Sequence, residues 1–192
     1  LGSPQSEDQP IELRKTEIFA AKTAASNNKN EAEAALQKAI NATKKTPKNV
    51  ESWLMLAQAA SALGDSEAEI NALRTGIKIT HGDTSIMAML AEALSRAADG
   101  QVTVPARALI KTVLETDPNE PRALFLSGLA AYQDGENMDA IKNWQTLISI
   151  SRPDAPWISI VRDNIERAAE AGNISLDFAK VATKEIFGPD AE

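Results

Sequence analysis

Apolar residues recur at helical spacing along most of this chain, and glycine-bearing or proline-bearing breaks divide them into short segments. The clearest stretch is Pro118 to Arg152, with one amphipathic run on each side of Asp134-Gly135-Glu136-Asn137. Two helices joined by a tight turn are predicted there. Leu124 takes a large position in the first run and Gly128 a small one where two helices can cross closely. In the second run Ala140 is the small residue, and Trp144 and Leu147 follow on the face to be buried. A single hairpin of this kind leaves apolar faces in water, so neighbours are expected on either side.

Those neighbours recur with a fixed period. Leu90-Ala91 repeats Leu56-Ala57 at an interval of 34 residues, the length of a tetratricopeptide repeat (TPR). Val50 to Thr80 carries Trp53, Leu56 and Ala57 on one helix, a Leu63-Gly64-Asp65 turn, and Leu73, Gly76 and Ile77 on the next. Glu69 stands where a small residue is expected and Ala68 lies one residue early, so a shortened turn is anticipated there. From Ala91 to Gly128 the interval grows to 37 residues, and Asp99-Gly100 and Pro105 put the extra length in Ala97 to Pro105. Ala106, Ile110 and Val113 then fall on the buried face of a second helix.

The ends are less regular. Ile11 to Ser26 and Glu31 to Lys45 read as a helical hairpin broken at Asn27 to Asn30 and stopped before Pro47. Residues 11–49 fit a degenerate repeat only loosely, because Lys22 and Thr23 stand where leucine and glycine are usual. After three repeat units over 50–154, residues 155–172 form a capping helix with Ile158, Val161, Ile165, Ala168 and Ala169 on one face. Residues 173–192 form a further helix capping the array, or a tail lying in a groove of this or a neighbouring molecule. Leu1-Gly2-Ser3 looks like the remainder of a cleaved tag, so residues 1–10 are set aside and a membrane anchor is expected to precede the natural domain. The expected fold is all-α: a TPR solenoid, or α-α superhelix, with a C-terminal capping helix.

Composition narrows the function. With 43% hydrophobic but only 4% aromatic residues, the core must be assembled largely from small side chains at close helix crossings. A formal net charge of -7 opposes attraction to phosphate backbones, so no nucleic-acid partner is expected. The absence of cysteine excludes disulfides, thiol catalysis and Cys-x-x-Cys-His haem attachment. One histidine, His81 in a His81-Gly82-Asp83 loop, excludes a multi-histidine metal site or a catalytic histidine pair. No catalytic residue, metal or cofactor is therefore expected. Trp53 and Trp144 read as helix-packing residues rather than an aromatic cage, and Trp157 as a staple at the start of the cap.

The segment Leu90 to Ser149 resembles the periplasmic TPR domain of cytochrome c biogenesis proteins of the CcmI (CycH) type. The resemblance rests on Ala91-Glu92-Ala93-Leu94, the enlarged Asp99 to Pro105 turn, and Thr116-Asp117-Pro118-Asn119 before Arg122-Ala123-Leu124. It also rests on Leu129-Ala130-Ala131-Tyr132 with Ala140-Ile141 and Trp144, and on Pro153-Asp154-Ala155-Pro156-Trp157 at the end. It covers Val50 to Gly172 well and does not explain Ile11 to Asn30 or Asn173 to Glu192.

The resemblance implies a noncatalytic chaperone, anchored at the inner membrane and presenting its TPR domain in the periplasm. Its implied partners are the C-terminal helix of apocytochrome c and the haem-ligation components of cytochrome c maturation. A general TPR adaptor for another complex is the alternative. Carrying the family's groove positions across gives Leu54, Gln58 and Ser61 from one repeat, and Glu92, Ser95 and Arg96 from the next. Arg122, Phe125, Leu129, Tyr132 and Gln133 come from the third. Such a set can receive an amphipathic helix, with apolar anchors buried and charges fixing orientation. The competing reading packs Phe125 and Leu129 against an adjacent helix, or under residues 173–192.

Overall fold

The computed structural model describes residues 29–175, and these form eight helices and no strand. Helix α1 covers residues 29–45 of the described chain. Then follow α2 (Val50–Ala62), α3 (Ser66–Thr80), α4 (Thr84–Arg96), α5 (Val104–Thr116), α6 (Pro121–Gln133), α7 (Asn137–Ile150) and α8 (Ile158–Ala171). The expected N-terminal hairpin is described only in its second arm. Lys29 and Asn30 are already helical, so part of the anticipated break lies inside α1. The first arm, and residues 176–192 of the C-terminal segment, lie outside the described residues.

Helices α2 to α6 begin where a side chain can satisfy one of their free N–H groups, whereas α7 and α8 start without such a cap. Asn49, Asp65, Asp83, Thr103 and Glu120 cap α2 to α6, each accepting a backbone N–H through its side chain. The turns after α2 and α6 contain Gly64 and Gly135 at φ 73° and 80°, a left-handed geometry that costs glycine little. His81, with φ 57°, closes α3 and is exposed in the loop before α4.

The helices pack as successive antiparallel pairs, α2 with α3, α4 with α5 and α6 with α7, with α8 laid against α7. Three apolar clusters run along the array in place of one central core. The first joins Ala57, Ala72 and Leu73 to Ile86, Leu90 and Ala93. A second joins α4 and α5 to Ala123, Leu126 and Ala130 of α6. The third gathers Leu124, Ala140, Ile141, Trp144 and Leu147 with Ile158, Val161 and Ile165 of the cap. Contacts to the next pair supply what one pair lacks, as a solenoid requires.

A shift of 71 residues carries the start of α2, Val50, onto the start of α6, Pro121. Both first helices have 13 residues, and three residues separate each from its partner. The turn beside Glu69 is thus not shortened: Glu69 occupies the position that Ala140 holds in the third pair. Its carboxylate is buried and accepts from Arg96 Nη2 at 2.5 Å, so an ion pair to the next helix pair takes the place of a small side chain.

The added length between α4 and α5 is built into the structure. Val102 in this loop is buried in the second cluster. Its N–H donates to Gln133 Oε1 at 2.9 Å, while Gln133 Nε2 donates to Gly100 O at 2.8 Å. Arg107 ties the same loop to α6, donating to Val102 O and gripping Asp134 with both terminal nitrogens at 2.6 and 3.0 Å.

Candidate functional site

The first helices of successive pairs, α2, α4 and α6, with α8 after them, supply the two clefts in which the sequence-derived positions collect. One cleft, of about 740 Å³, is lined by Leu54, Gln58 and Ser61 of α2 and by Glu92 and Arg96 of α4. Met55 and Met89 add apolar wall to it, and Glu51 stands at its edge. The other, of about 430 Å³, is lined by Glu92, Arg122 and Phe125, with Leu126, Leu147, Trp157 and Ile160. Both volumes suit the side chains of a ligand. Glu92 lines both clefts, so they adjoin as two compartments beside the first helices.

An ion pair marks the junction. Arg122 Nε donates to Glu92 Oε2, with both side chains about two-fifths exposed. Arg96 and Glu69 form a comparable bridge inside the first compartment, its carboxylate buried and its guanidinium half-exposed. Each bridge joins one helix pair to the next, so the groove carries fixed charges between apolar surfaces. Glu120, at the start of α6, accepts from Ala123 N at 2.5 Å, and burial pushes its carboxyl above the usual carboxylate range.

Several expected positions do not line the groove. Ser95 is buried and its hydroxyl donates back to Ala91 O at 2.9 Å, a bond available to serine inside a helix. Gln133 spends both ends of its amide on the α4–α5 loop. Leu129 is half-buried against the second and third clusters. Tyr132 is half-buried against the third, with its ring centroid 6.2 Å from that of Trp144. Phe125 packs on the same clusters and also reaches the second compartment.

Two lining residues come from the start of the cap: Trp157, expected there as a staple, and Ile160, which the sequence pattern did not single out. Trp157 and Ile160 are 44% and 56% exposed, and lie off the stripe by which α8 packs on α7. The signal was in the sequence: apolar residues three apart that do not fall on the buried face of Ile158, Val161 and Ile165. Trp53 and Trp144 do pack helices. Trp144 is fully buried with its indole N–H donating to Phe125 O, and half-buried Trp53 donates to Pro47 O at 2.9 Å.

Among the described residues, no group of three or more His, Cys, Asp or Glu could hold a metal ion. No helix there is long and apolar enough to cross a membrane.

Comparison with known proteins identifies the family. CycH of Bradyrhizobium diazoefficiens, a cytochrome c-type biogenesis protein, is 29% identical over 167 residues, covering 87% of this chain and 44% of its own. CycH of Rhizobium meliloti is 30% identical over 136 residues, covering 71% of this chain and 36% of its own. The chain thus spans less than half the length of either relative. A crystal structure of MamA protein has the same helical-repeat architecture, with a TM-score of 0.62 and 20% identity over 90% of each chain. The family described as "Cytochrome c-type biogenesis protein H TPR domain" matches residues 41–158, from the end of α1 through the enlarged turn to the start of α8. With more than half of its length in that match, the chain belongs to this family of TPR domains.

Proposed function

We propose that the domain captures the C-terminal helical region of apocytochrome c without catalysis and presents it to the haem-ligation components of cytochrome c maturation. The observation that carries this reading is the two-compartment groove, apolar at Leu54, Met55, Phe125 and Ile160 and charged at Glu92 and Arg122. It occurs in a chain whose family is named for cytochrome c-type biogenesis. An amphipathic helix laid along the groove buries its apolar side chains in the compartments and is oriented by the ion pair between them. In this role the domain works in the periplasm beside the inner membrane, and the reaction chemistry belongs to its partners.

Calorimetric titration with C-terminal apocytochrome c peptides, beside scrambled peptides of the same composition, tests the reading. The native order should bind at least about tenfold more tightly, and Phe125→Ala should weaken it by a similar factor with circular dichroism unchanged. Equal affinity for native and scrambled peptides would reject apocytochrome capture.

A further inference from the structure

Six large hydrophobic residues are exposed among the described residues, and three of them line this groove: Met55 in the first compartment, Trp157 and Ile160 in the second. A helix that served only to close the array would turn polar residues outward. Instead α8 buries Val161, Ile165 and Ala168 against α7 and turns Trp157 and Ile160 towards the cleft it shares with α6. The Trp157 indole N–H donates to Ser151 Oγ at 3.1 Å, which holds the ring at the rim.

The charges lining the two compartments are not balanced. Arg96 neutralises Glu69 and Arg122 neutralises Glu92, so the lining cations are already engaged. Glu51 remains, exposed at the head of α2 and without an ion pair among the described residues, whereas Glu120 is buried and its carboxylate caps the head of α6. A ligand with cations beside an apolar face complements both features, and the net charge of -7 favours its approach.

We propose that the cleft between α6 and α8 is the anchor socket of the groove and that its occupant is a cationic amphipathic helix. Its apolar side chains seat against Trp157, Ile160 and Phe125, while its lysines or arginines lie towards the exposed Glu51 of the adjoining compartment. This rests on the reading that the groove takes up a polypeptide helix, and it adds both the charge of that helix and the place where it is gripped. Helix α8 is then a wall of the binding site as well as the end of the fold.

The test uses two synthetic amphipathic helices with one apolar face in common, bearing lysines or glutamates on the polar face. The lysine peptide should bind at least about tenfold more tightly, and lose affinity as salt is raised. Trp157→Ala and Ile160→Ser should each weaken it about tenfold. The serine variant, at an exposed position, keeps the test decisive if loss of the indole disturbs the start of α8. Equal binding of both peptides, or unchanged affinity in Ile160→Ser, overturns the socket. So does self-association in sedimentation velocity that Ile160→Ser abolishes, which would seat a second copy there. Binding seen only after removal of residues 176–192 overturns it in favour of the chain's own end. Apocytochrome peptides that bind regardless of Ile160→Ser leave capture standing without the socket. A lysine peptide that binds while apocytochrome peptides do not leaves the socket standing without that cargo.

Discussion

The pairs α2–α3 and α6–α7 share the length of their first helix and of the turn that follows it, yet fill the same positions with different side chains. In the third pair Gly128 faces Trp144, and a Cβ built on Gly128 would lie 2.4 Å from the indole nitrogen. In the first pair the equivalent positions hold Ala57 and Leu73, both buried. A larger residue on one helix is matched by a smaller one on the other. The repeat therefore conserves the volume at the crossing while either helix may contribute it. Charge is treated similarly: buried Ala140 of the third pair becomes Glu69 in the first, with Arg96 supplied from the next pair.

The largest effect should come from forcing one solution onto the other. Gly128→Ala should cost about 2–3 kcal/mol in chemical unfolding, even after the roughly 1 kcal/mol that alanine gains in helix propensity. Adding Trp144→Leu, which recreates the pairing of Ala57 with Leu73, should return part of that loss. A single variant as stable as the parent would show that the close approach is dispensable.

Next comes the substituted charge. Arg96→Ala strands a buried carboxylate and should destabilise by about 1–2 kcal/mol, discounted because the guanidinium is half-exposed. Glu69→Ala, which restores the residue type of the third pair, should cost less. The double variant should be more stable than Arg96→Ala alone, and denaturant melts of the three variants decide the order.

The smallest effect concerns the caps, Asn49 on α2 and Glu120 on α6. Burial raises the Glu120 carboxyl above its ordinary range, so the folded state binds this proton more readily than the unfolded chain. The stability due to this group is full below the unfolded pKa and is lost as pH rises through the folded one. Measured against Glu120→Asn, which takes the cap of α2, the parent should gain relative stability as pH falls from neutrality. A constant difference across that range would remove Glu120 as the cause.

What could be read beforehand was what repeats locally. The 34-residue interval, the small residues at Ala57, Ala91 and Gly128, and the loop containing Asp99-Gly100 all follow from short-range pattern. Partners far along the chain did not follow. Glu69 suggested a shortened turn because Arg96, 27 residues on, gives no local sign of pairing with it. Ser95 and Gln133 sit on helices whose faces periodicity fixes only to within a residue or so, enough to turn a side chain from groove to interior. Trp157 reads as a staple and Ile160 goes unnoticed because one buried stripe already explains α8.

The extra residues before α5 add polar ties across one junction of the array that the other lacks. A stacked repeat protein bends where one pair meets the next, and the α5–α6 junction is splinted: Gln133 holds two backbone groups of the loop, and Arg107 clamps Asp134. At the α3–α4 junction the bridging polar contact is Glu69 with Arg96. Under load the superhelix should yield first between α3 and α4, opening the compartment beside α2 while Phe125 and Trp157 keep their spacing. One end of the groove then works as a fixed jaw and the other as the jaw that adjusts.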